Sequence, residues 1–301
     1  MNIEEILNEI SKCFELLKQR NPLVHQITNY VAANDQANIT LAAGGRPIMA
    51  EHPAELKDIL SSADSLLINI GTLTERKEKV LIQAAELAAA YNVPVVLDPV
   101  GVAGSRLRKS VALQVIEKGN IAIVKGNKGE IFSIFDICSE KCKDDNKDNK
   151  QDKKQANNQG NNSSYKQSSG VDFIGEFAEL SRDKTIRLKG IAESQNLVIV
   201  ITGEKDIIID RTNYIEMDNG SPIFNNIAGA GCMTGSLIAS YLSVSQNPIT
   251  AALTGLSVMG IAGEIAEKNF VGPGSFRVNL MDQVAALNIA DIISNTKITT
   301  K

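Results

Sequence analysis

Short apolar runs bounded by turn residues recur along the chain. They include Ser65-Leu66-Leu67-Ile68-Asn69-Ile70, Val93-Pro94-Val95-Val96-Leu97, Ile121-Ala122-Ile123-Val124 and Leu197-Val198-Ile199-Val200-Ile201. Nearly unbroken β-branched runs of this kind suit strands covered on both faces of a parallel sheet. Between them lie stretches with helical spacing, notably Glu75–Tyr91 and Ser105–Lys118. Residues 3–19 also place Ile3, Ile6, Leu7, Ile10, Phe14 and Leu17 on one helical face. Strand and helix in alternation predict an α/β fold with a central, mostly parallel sheet and helices on both faces. Ile207–Asp210 and Tyr214–Met217 predict a short antiparallel excursion, and the chain from Gly231 to about Asn288 reads as mostly helical.

One segment breaks the pattern. Residues 139–170 carry seven lysines and five acids among Asn, Gln, Ser and Gly, with no aliphatic side chain larger than Ala. Such a composition cannot bury enough apolar surface to offset the entropy of ordering. The expectation is one domain spanning 1–301, interrupted by a disordered polar insert.

With 301 residues, 43% of them hydrophobic, the chain suits one large α/β domain or two small ones, with enough length for a sizeable buried core. A net charge of -4 gives no argument for a nucleic-acid partner. Cys13, Cys138, Cys142 and Cys232 are scattered rather than arranged as a disulfide framework. Two histidines, and a Cys138-x3-Cys142 pair at the edge of the insert, argue against a zinc site. The acidic, amphipathic start Met1–Leu7 is unlike a signal peptide. No stretch reads as approaching the ~18 apolar residues of a membrane span. A cytoplasmic protein is expected.

The chemistry concentrates where strands end. Ala228-Gly229-Ala230-Gly231-Cys232-Met233-Thr234-Gly235 leads small residues directly into an apolar helical pattern. Such a turn lets main-chain N–H groups converge at a helix N-terminus, where the dipole favours an anion. Cys232 stands where a helix start is expected to lower a thiol pKa. In parallel α/β sheets ligands bind beyond the carboxyl ends of the strands. There the sequence sets Asp98 after Val95-Val96-Leu97, then Lys125, Asn127 and Glu130 after Ile123-Val124, then Thr202 after Val200-Ile201. Two carboxylates and an amide oxygen suit a hard cation such as Mg²⁺, and a lysine with a threonine hydroxyl suits nucleotide phosphates. Together these are the parts of a phosphoryl-transfer site.

Each part has a plainer reading. Asp98-Pro99 could be a turn former, Asn127 and Glu130 have capping-box spacing, Lys125 could be solvated, and the glycines of 229–231 could serve helix packing. A dinucleotide-binding glycine loop is excluded, because no acid ending a second strand comes about 20 residues later. No Gly-x4-Gly-Lys-Ser/Thr loop is present either.

Taken in order, several motifs resemble the hydroxyethylthiazole kinase family of the ribokinase-like fold. They are Pro22–Val31 (PLVHQITNYV), Arg46–Ala50 (RPIMA), Asn69–Leu73 (NIGTL), Leu97–Gly101 (LDPVG), Lys125-Gly126-Asn127-x-x-Glu130, Ile201–Glu204 (ITGE), Gly229–Cys232 (GAGC) and Gly272–Phe276 (GPGSF). The resemblance covers about residues 15–290 apart from the insert. It implies ATP- and Mg²⁺-dependent phosphorylation of the primary alcohol of 4-methyl-5-(2-hydroxyethyl)thiazole. Met49, Gly229 and Asn29 would lie on the thiazole, Lys125, Thr202 and Asn127 on ATP, and Asp98 and Glu130 on the metal. Ala230, Gly231 and Cys232 would form the catalytic turn. It also implies a homotrimer with sites between subunits. Sugar kinases of this fold generally have an aspartate base where Cys232 stands, so Cys232 is expected to be auxiliary. His25 reads equally as a structural histidine or a substrate contact. Lys125 departs from the arginine frequent in the family, keeping the charge without the bidentate fork. Other readings left open are a kinase for another small alcohol, such as hydroxymethylpyrimidine, and a non-catalytic ligand-binding relative.

Overall fold

The β-branched runs become strands in a computed structural model that describes residues 2–137, 180–268 and 270–301. The insert expected at 139–170 lies outside the described residues, as do Cys138 and Cys142. Six strands run parallel: β1 (Leu23–Ile27), β2 (Arg46–Ile48), β3 (Ser65–Asn69), β4 (Val95–Asp98), β5 (Ile121–Asn127) and β6 (Val198–Thr202). Three more, β7 (Asp206–Ile209), β8 (Tyr214–Met217) and β9 (Ile298–Thr300), add antiparallel pairs. The spatial order is β2-β1-β3-β4-β5-β6-β7-β8-β9. The sheet is thus mostly parallel with an antiparallel edge, as the pattern predicts.

Eleven helices are described: α1 (Ile3–Arg20), α2 (Ala33–Ala43), α3 (Leu56–Leu60), α4 (Glu75–Ala90), α5 (Arg106–Lys118), α6 (Lys128–Ile134), α7 (Arg182–Gln195), α8 (Ala230–Leu242), α9 (Pro248–Glu267), α10 (Pro273–Ala286) and α11 (Ile289–Asn295). Their starts follow capping chemistry. Asn2 and Glu5 form a capping box on α1, while Thr74, Ser105 and Ser181 each accept the amide three residues on. Pro248 occupies the first position of α9, where a missing N–H is tolerated.

Alternation along each strand divides the interior in two. Leu67, Val96, Ile123 and Val200 face α1, α2, α8, α9 and α10. Leu66, Ile68, Val95, Leu97, Val124, Ile199 and Ile201 face α3, α4, α5, α6 and α7. The period of two persists inside the continuous apolar runs because both faces are covered.

The pattern misses β1, β2, β9, α2, α3, α7 and α11. Strand β1 carries His25 and Gln26 where an apolar run would be expected, and β2 is only three residues long. Helix α2 buries Asp35, Gln36 and Thr40 on its inner side, which blurs its apolar periodicity. Strand β5 runs past Val124 to Asn127 because Lys125, Gly126 and Asn127 pair with Val200, Ile201 and Thr202 of β6. The expectation that no stretch suits a membrane is also corrected. Among the described residues, α9 is long and apolar enough to span one, and 89% of its apolar window is buried inside this fold. Helices α1, α8 and α10 pack against it, so its apolarity is that of a core helix.

Candidate active site

Parallel pairing brings the carboxyl ends of the strands to one edge, and the register fixes who meets whom. Asn69 ends β3 opposite Asp98, which ends β4, and Asn127 ends β5 opposite Thr202, which ends β6. Helix α8 starts over this edge. Gly229 is its N-cap with φ +87°, a left-handed conformation natural to glycine, and a methyl group there would stand 2.9 Å from the Ala32 Cβ. The first intrahelical bond runs from Met233 N–H to the Gly229 carbonyl at 2.8 Å. Helix geometry therefore leaves the N–H groups of Ala230, Gly231 and Cys232 without intrahelical acceptors, on a turn whose Cys232 is part-exposed.

Beneath the turn lies a buried polar cluster. Asp98 is 1% exposed and Lys125 3%. The Lys125 ammonium donates to Asp98 Oδ1 at 3.3 Å and to the Gly231 carbonyl at 2.8 Å. Asn69 Nδ2 donates to Asp98 Oδ2 at 2.7 Å and lies 3.2 Å from Cys232 Sγ. Asn29 Nδ2 donates to Asn69 Oδ1 at 3.0 Å and lies 3.3 Å from the same sulfur, while Asn29 Oδ1 accepts from Ala32 N–H at 3.0 Å. Asn29, Asn69, Asp98, Lys125, Gly231 and Cys232 are thus one connected unit.

Electrostatics follow from burial. Loss of solvent raises the Asp98 pKa, and the nearby Lys125 charge and the Asn69 bond oppose that rise. For Lys125 burial disfavours charge, but the Asp98 carboxylate, by its charge and hydrogen bond, and Glu130 outweigh it and the ammonium stays charged. The thiol of Cys232 corrects an expectation. Burial and the Asp98 charge push it up to about 11, against the opposing effects of Lys125, Asn29 and Asn69, so it is not lowered by the helix start.

Glu130 and Asn127 form the capping box that their spacing allows. Asn127 Oδ1 accepts from Glu130 N–H, and Glu130 Oε2 accepts from Asn127 N–H, both at 2.9 Å. Glu130 Oε1 also accepts from Gly101 N–H at 2.8 Å, fastening the turn just after Asp98. Burial, then the Asp98 charge, raises its pKa. Lys125 is not the solvated lysine of the plainer reading. Thr202 and Met49 sit at flanking strand ends, part-exposed, and no hydrogen bond among the described residues joins their side chains to the cluster. His25 is buried and its Nε2 meets the Ala50 carbonyl at 2.8 Å, which favours its structural reading.

Among the described residues no group of three or more His, Cys, Asp or Glu side chains could hold a metal ion by itself. The donors present are nevertheless hard oxygens. Each oxygen of Glu130 accepts one backbone N–H and retains a second lone pair, Asp98 is held by Lys125, Asn69 and the Cys232 thiol, and these hard carboxylate oxygens suit a hydrated Mg²⁺ held through water.

Sequence reasoning missed Asn69, which touches Asp98, Cys232 and Asn29. Its signal was available, since it ends β3 as Asp98 ends β4. It also missed Asp206, whose Oδ1 accepts from Gly203 N–H at 3.0 Å and closes the turn after Thr202. Gln36, whose amide reaches the Cys232 carbonyl at 3.0 Å, left no such signal, because it lies within a helix.

Comparisons with known proteins identify the family and the fold. A model of the hydroxyethylthiazole kinase family matches residues 14–162 and 161–290. A hydroxyethylthiazole kinase of Clostridium tetani is 39% identical over 284 residues, 93% of each chain. The solved structure of a hydroxyethylthiazole kinase protein from Pyrococcus horikoshii superposes with a TM-score of 0.78 at 28% identity, covering 97% of this chain and 98% of that one. A ribokinase-like superfamily protein of Enterococcus faecalis shares the fold alone, with a TM-score of 0.56 at 12% identity over 91% of this chain and 95% of its own. By its motifs, its ribokinase-like fold and a match over most of its length, the chain belongs to the hydroxyethylthiazole kinase family.

Proposed function

We propose that this chain transfers the γ-phosphoryl group of ATP to the primary alcohol of 4-methyl-5-(2-hydroxyethyl)thiazole. The observation that carries the reading is the free amide turn of 230–232 set over the Asp98–Lys125–Asn69–Cys232 cluster. Phosphoryl transfer needs positioning and charge neutralisation more than covalent help. The three amides and the α8 dipole would receive the negative charge that gathers on the transferred group. Two donors of the Lys125 ammonium hold Asp98 and the Gly231 carbonyl, leaving a third N–H for a phosphate oxygen. Thr202 and Asn127 would border ATP, and Met49, Asn29 and Gly229 the thiazole. Asp98 and Glu130 would hold Mg²⁺ through water, and the metal would neutralise phosphate charge. A thiol held at about 11 is neutral at pH 7, so Cys232 assists packing and hydrogen bonding rather than taking the alcohol proton.

The reading extends to a cytoplasmic homotrimer with sites between subunits. Tyr30 and Val31, 65% and 67% exposed beside Asn29, offer apolar surface on the thiazole side for a neighbouring subunit. Light scattering on the purified protein tests the trimer. Purified protein with ATP, Mg²⁺ and, separately, hydroxyethylthiazole, hydroxymethylpyrimidine and ribose tests the activity. Thiazole-dependent ADP release is expected, and its absence overturns the reading.

A further inference from the structure

The core between α2 and α8 contains a chain of polar side chains that an apolar packing would not require. Gln26, Gln36, Thr40, Ser236 and Ser240 are buried there. Ser236 Oγ donates to Gln26 Oε1 at 2.8 Å, Gln26 Nε2 donates to Thr40 Oγ1 at 2.7 Å, and Thr40 Oγ1 donates to the Gln36 carbonyl at 2.9 Å. The side chain of Gln36 then turns toward the active site. Its Oε1 accepts the Thr28 hydroxyl, and its Nε2 donates to the Cys232 carbonyl at 3.0 Å. On the far side, the buried ammonium of Lys77 donates to the Thr28 carbonyl. Lys77 lies in the first turn of α4, where burial and the helix dipole both disfavour a cation. A residue placed against both preferences is informative about what it holds. Here that is the turn carrying Asn29.

We infer that Gln36 is a positioning residue. It ties the Thr28–Asn29 turn on the alcohol side to the first turn of α8 on the phosphoryl side, and so sets the approach of the hydroxyl to the transferred group. The Thr28–Gln36 bond is buried and the Gln36–Cys232 bond partly so, and a linked network in such a setting is strong when complete and weak when broken. Small errors in such an approach are amplified in rate, because positioning supplies much of the acceleration. The inference rests on the reading that the 229–232 turn receives the phosphoryl group.

The test is a double-mutant cycle on the full-length protein. Gln36→Leu and Thr28→Val each remove the bond between the two side chains with little change in volume. Each is expected to lower thiazole-dependent kcat about five- to tenfold, the scale of one buried hydrogen bond, and to leave the KM for ATP within about twofold. The double variant is expected to be no slower than the worse single, and Thr28→Ser, which keeps the hydroxyl, to be near wild type. Hydrogen exchange supplies a readout that needs no substrate: the Met233–Ser236 amides should exchange faster in Gln36→Leu, with those of α9 unchanged. Multiplying kinetic losses in the double variant, or wild-type exchange in Gln36→Leu, would overturn the inference. If wild type turns over no thiazole but the exchange result holds, the kinase reading fails and the tie remains.

Discussion

Replacing Lys125 by Met strands the Asp98 carboxylate, and the buried position of the pair sets the size of the effect. Asp98 is 1% exposed, and without the ammonium it keeps only the Asn69 amide and the Cys232 thiol as partners. Breaking a buried ion pair from one side costs about 3–5 kcal/mol. A second route gives a ceiling. The stranded acid can escape by binding a proton, and neutralising a carboxyl of reference pKa about 3.9 at pH 7 requires roughly 4 kcal/mol at about 1.4 kcal/mol per unit. The two agree on about 4 kcal/mol, a large part of the ~5–15 kcal/mol of a typical fold. The sign with pH comes from proton counting. In Lys125→Met the folded state binds a proton at Asp98 that the unfolded state releases above about pH 4, so stability declines as pH rises toward the raised folded pKa. The penalty relative to wild type therefore shrinks on acidification, by up to about 1.4 kcal/mol per unit. Asp98→Asn is the mirror image. It strands the ammonium, and its smaller penalty, softened by Glu130, shrinks as pH rises. Urea unfolding of both single variants and of the Asp98→Asn/Lys125→Met double, at pH 5.5, 7 and 8.5, measures all of this. The double should recover most of the lost stability because neither charge is left alone. Turnover should nevertheless stay at least about 100-fold down, because the support under the 229–232 turn is gone. Pair burial would be refuted by a Lys125→Met penalty under about 0.5 kcal/mol at pH 7, by equal pH slopes in the two singles, or by a double equal to their sum.

Gly229→Ala should reduce kcat/KM for ATP more than about tenfold and stability by about 1–3 kcal/mol, from its positive φ and a methyl 2.9 Å from Ala32 Cβ; steady-state kinetics and thermal unfolding check both. Asn69→Leu removes donors to Asp98 and Cys232 and the acceptor of Asn29, so it should destabilise by about 2–4 kcal/mol in urea; a near-neutral result would exclude it from the cluster. Cys232→Ala should retain a measurable rate. Wild-type kcat should not rise with thiolate formation between pH 7 and 9, whereas a thiol base of pKa near 11 would raise it about tenfold per unit.

Legibility in the sequence depended on whether a local pattern carried the information. Runs such as Leu66-Leu67-Ile68 and Val95-Val96-Leu97 announced strands because parallel pairing buries both faces. Asp98, Lys125, Asn127 and Glu130 stood out for the same reason, since each lies at or just beyond the end of such a run. Strand β1 escaped because His25 and Gln26 interrupt its apolar run, and they are polar because their partners, the Ala50 carbonyl, Thr40 and Ser236, come from distant segments. Gln36 escaped in the same way: a glutamine within a helix has no local reason to be buried, and its reason lies 196 residues away at Cys232. Lys125 was legible as a charge but not as a buried one, since only the fold brings Asp98 and the Gly231 carbonyl onto it.

Cys232 shows how magnitudes decide between two local rules. A helix N-terminus stabilises a nearby anion by about 0.3–1 kcal/mol, and up to about 2 in sheltered geometry, which would lower a thiol pKa by no more than roughly 1.5 units. Burial and the Asp98 carboxylate act the other way and leave the thiol near 11, so they are the larger effect at this site. The same helix start would still favour an incoming anion, as the proposed function requires, because its N–H groups at 230–232 lack intrahelical acceptors whereas the sulfur meets Asn29 and Asn69. One turn therefore combines unpaired helix-start N–H groups with a neutral thiol held by Asn29 and Asn69. A neutral thiol at that point adds no negative charge beside the helix start. Retention of turnover in Cys232→Ala, together with its loss in Gly229→Ala, would separate the two sides of the turn by experiment.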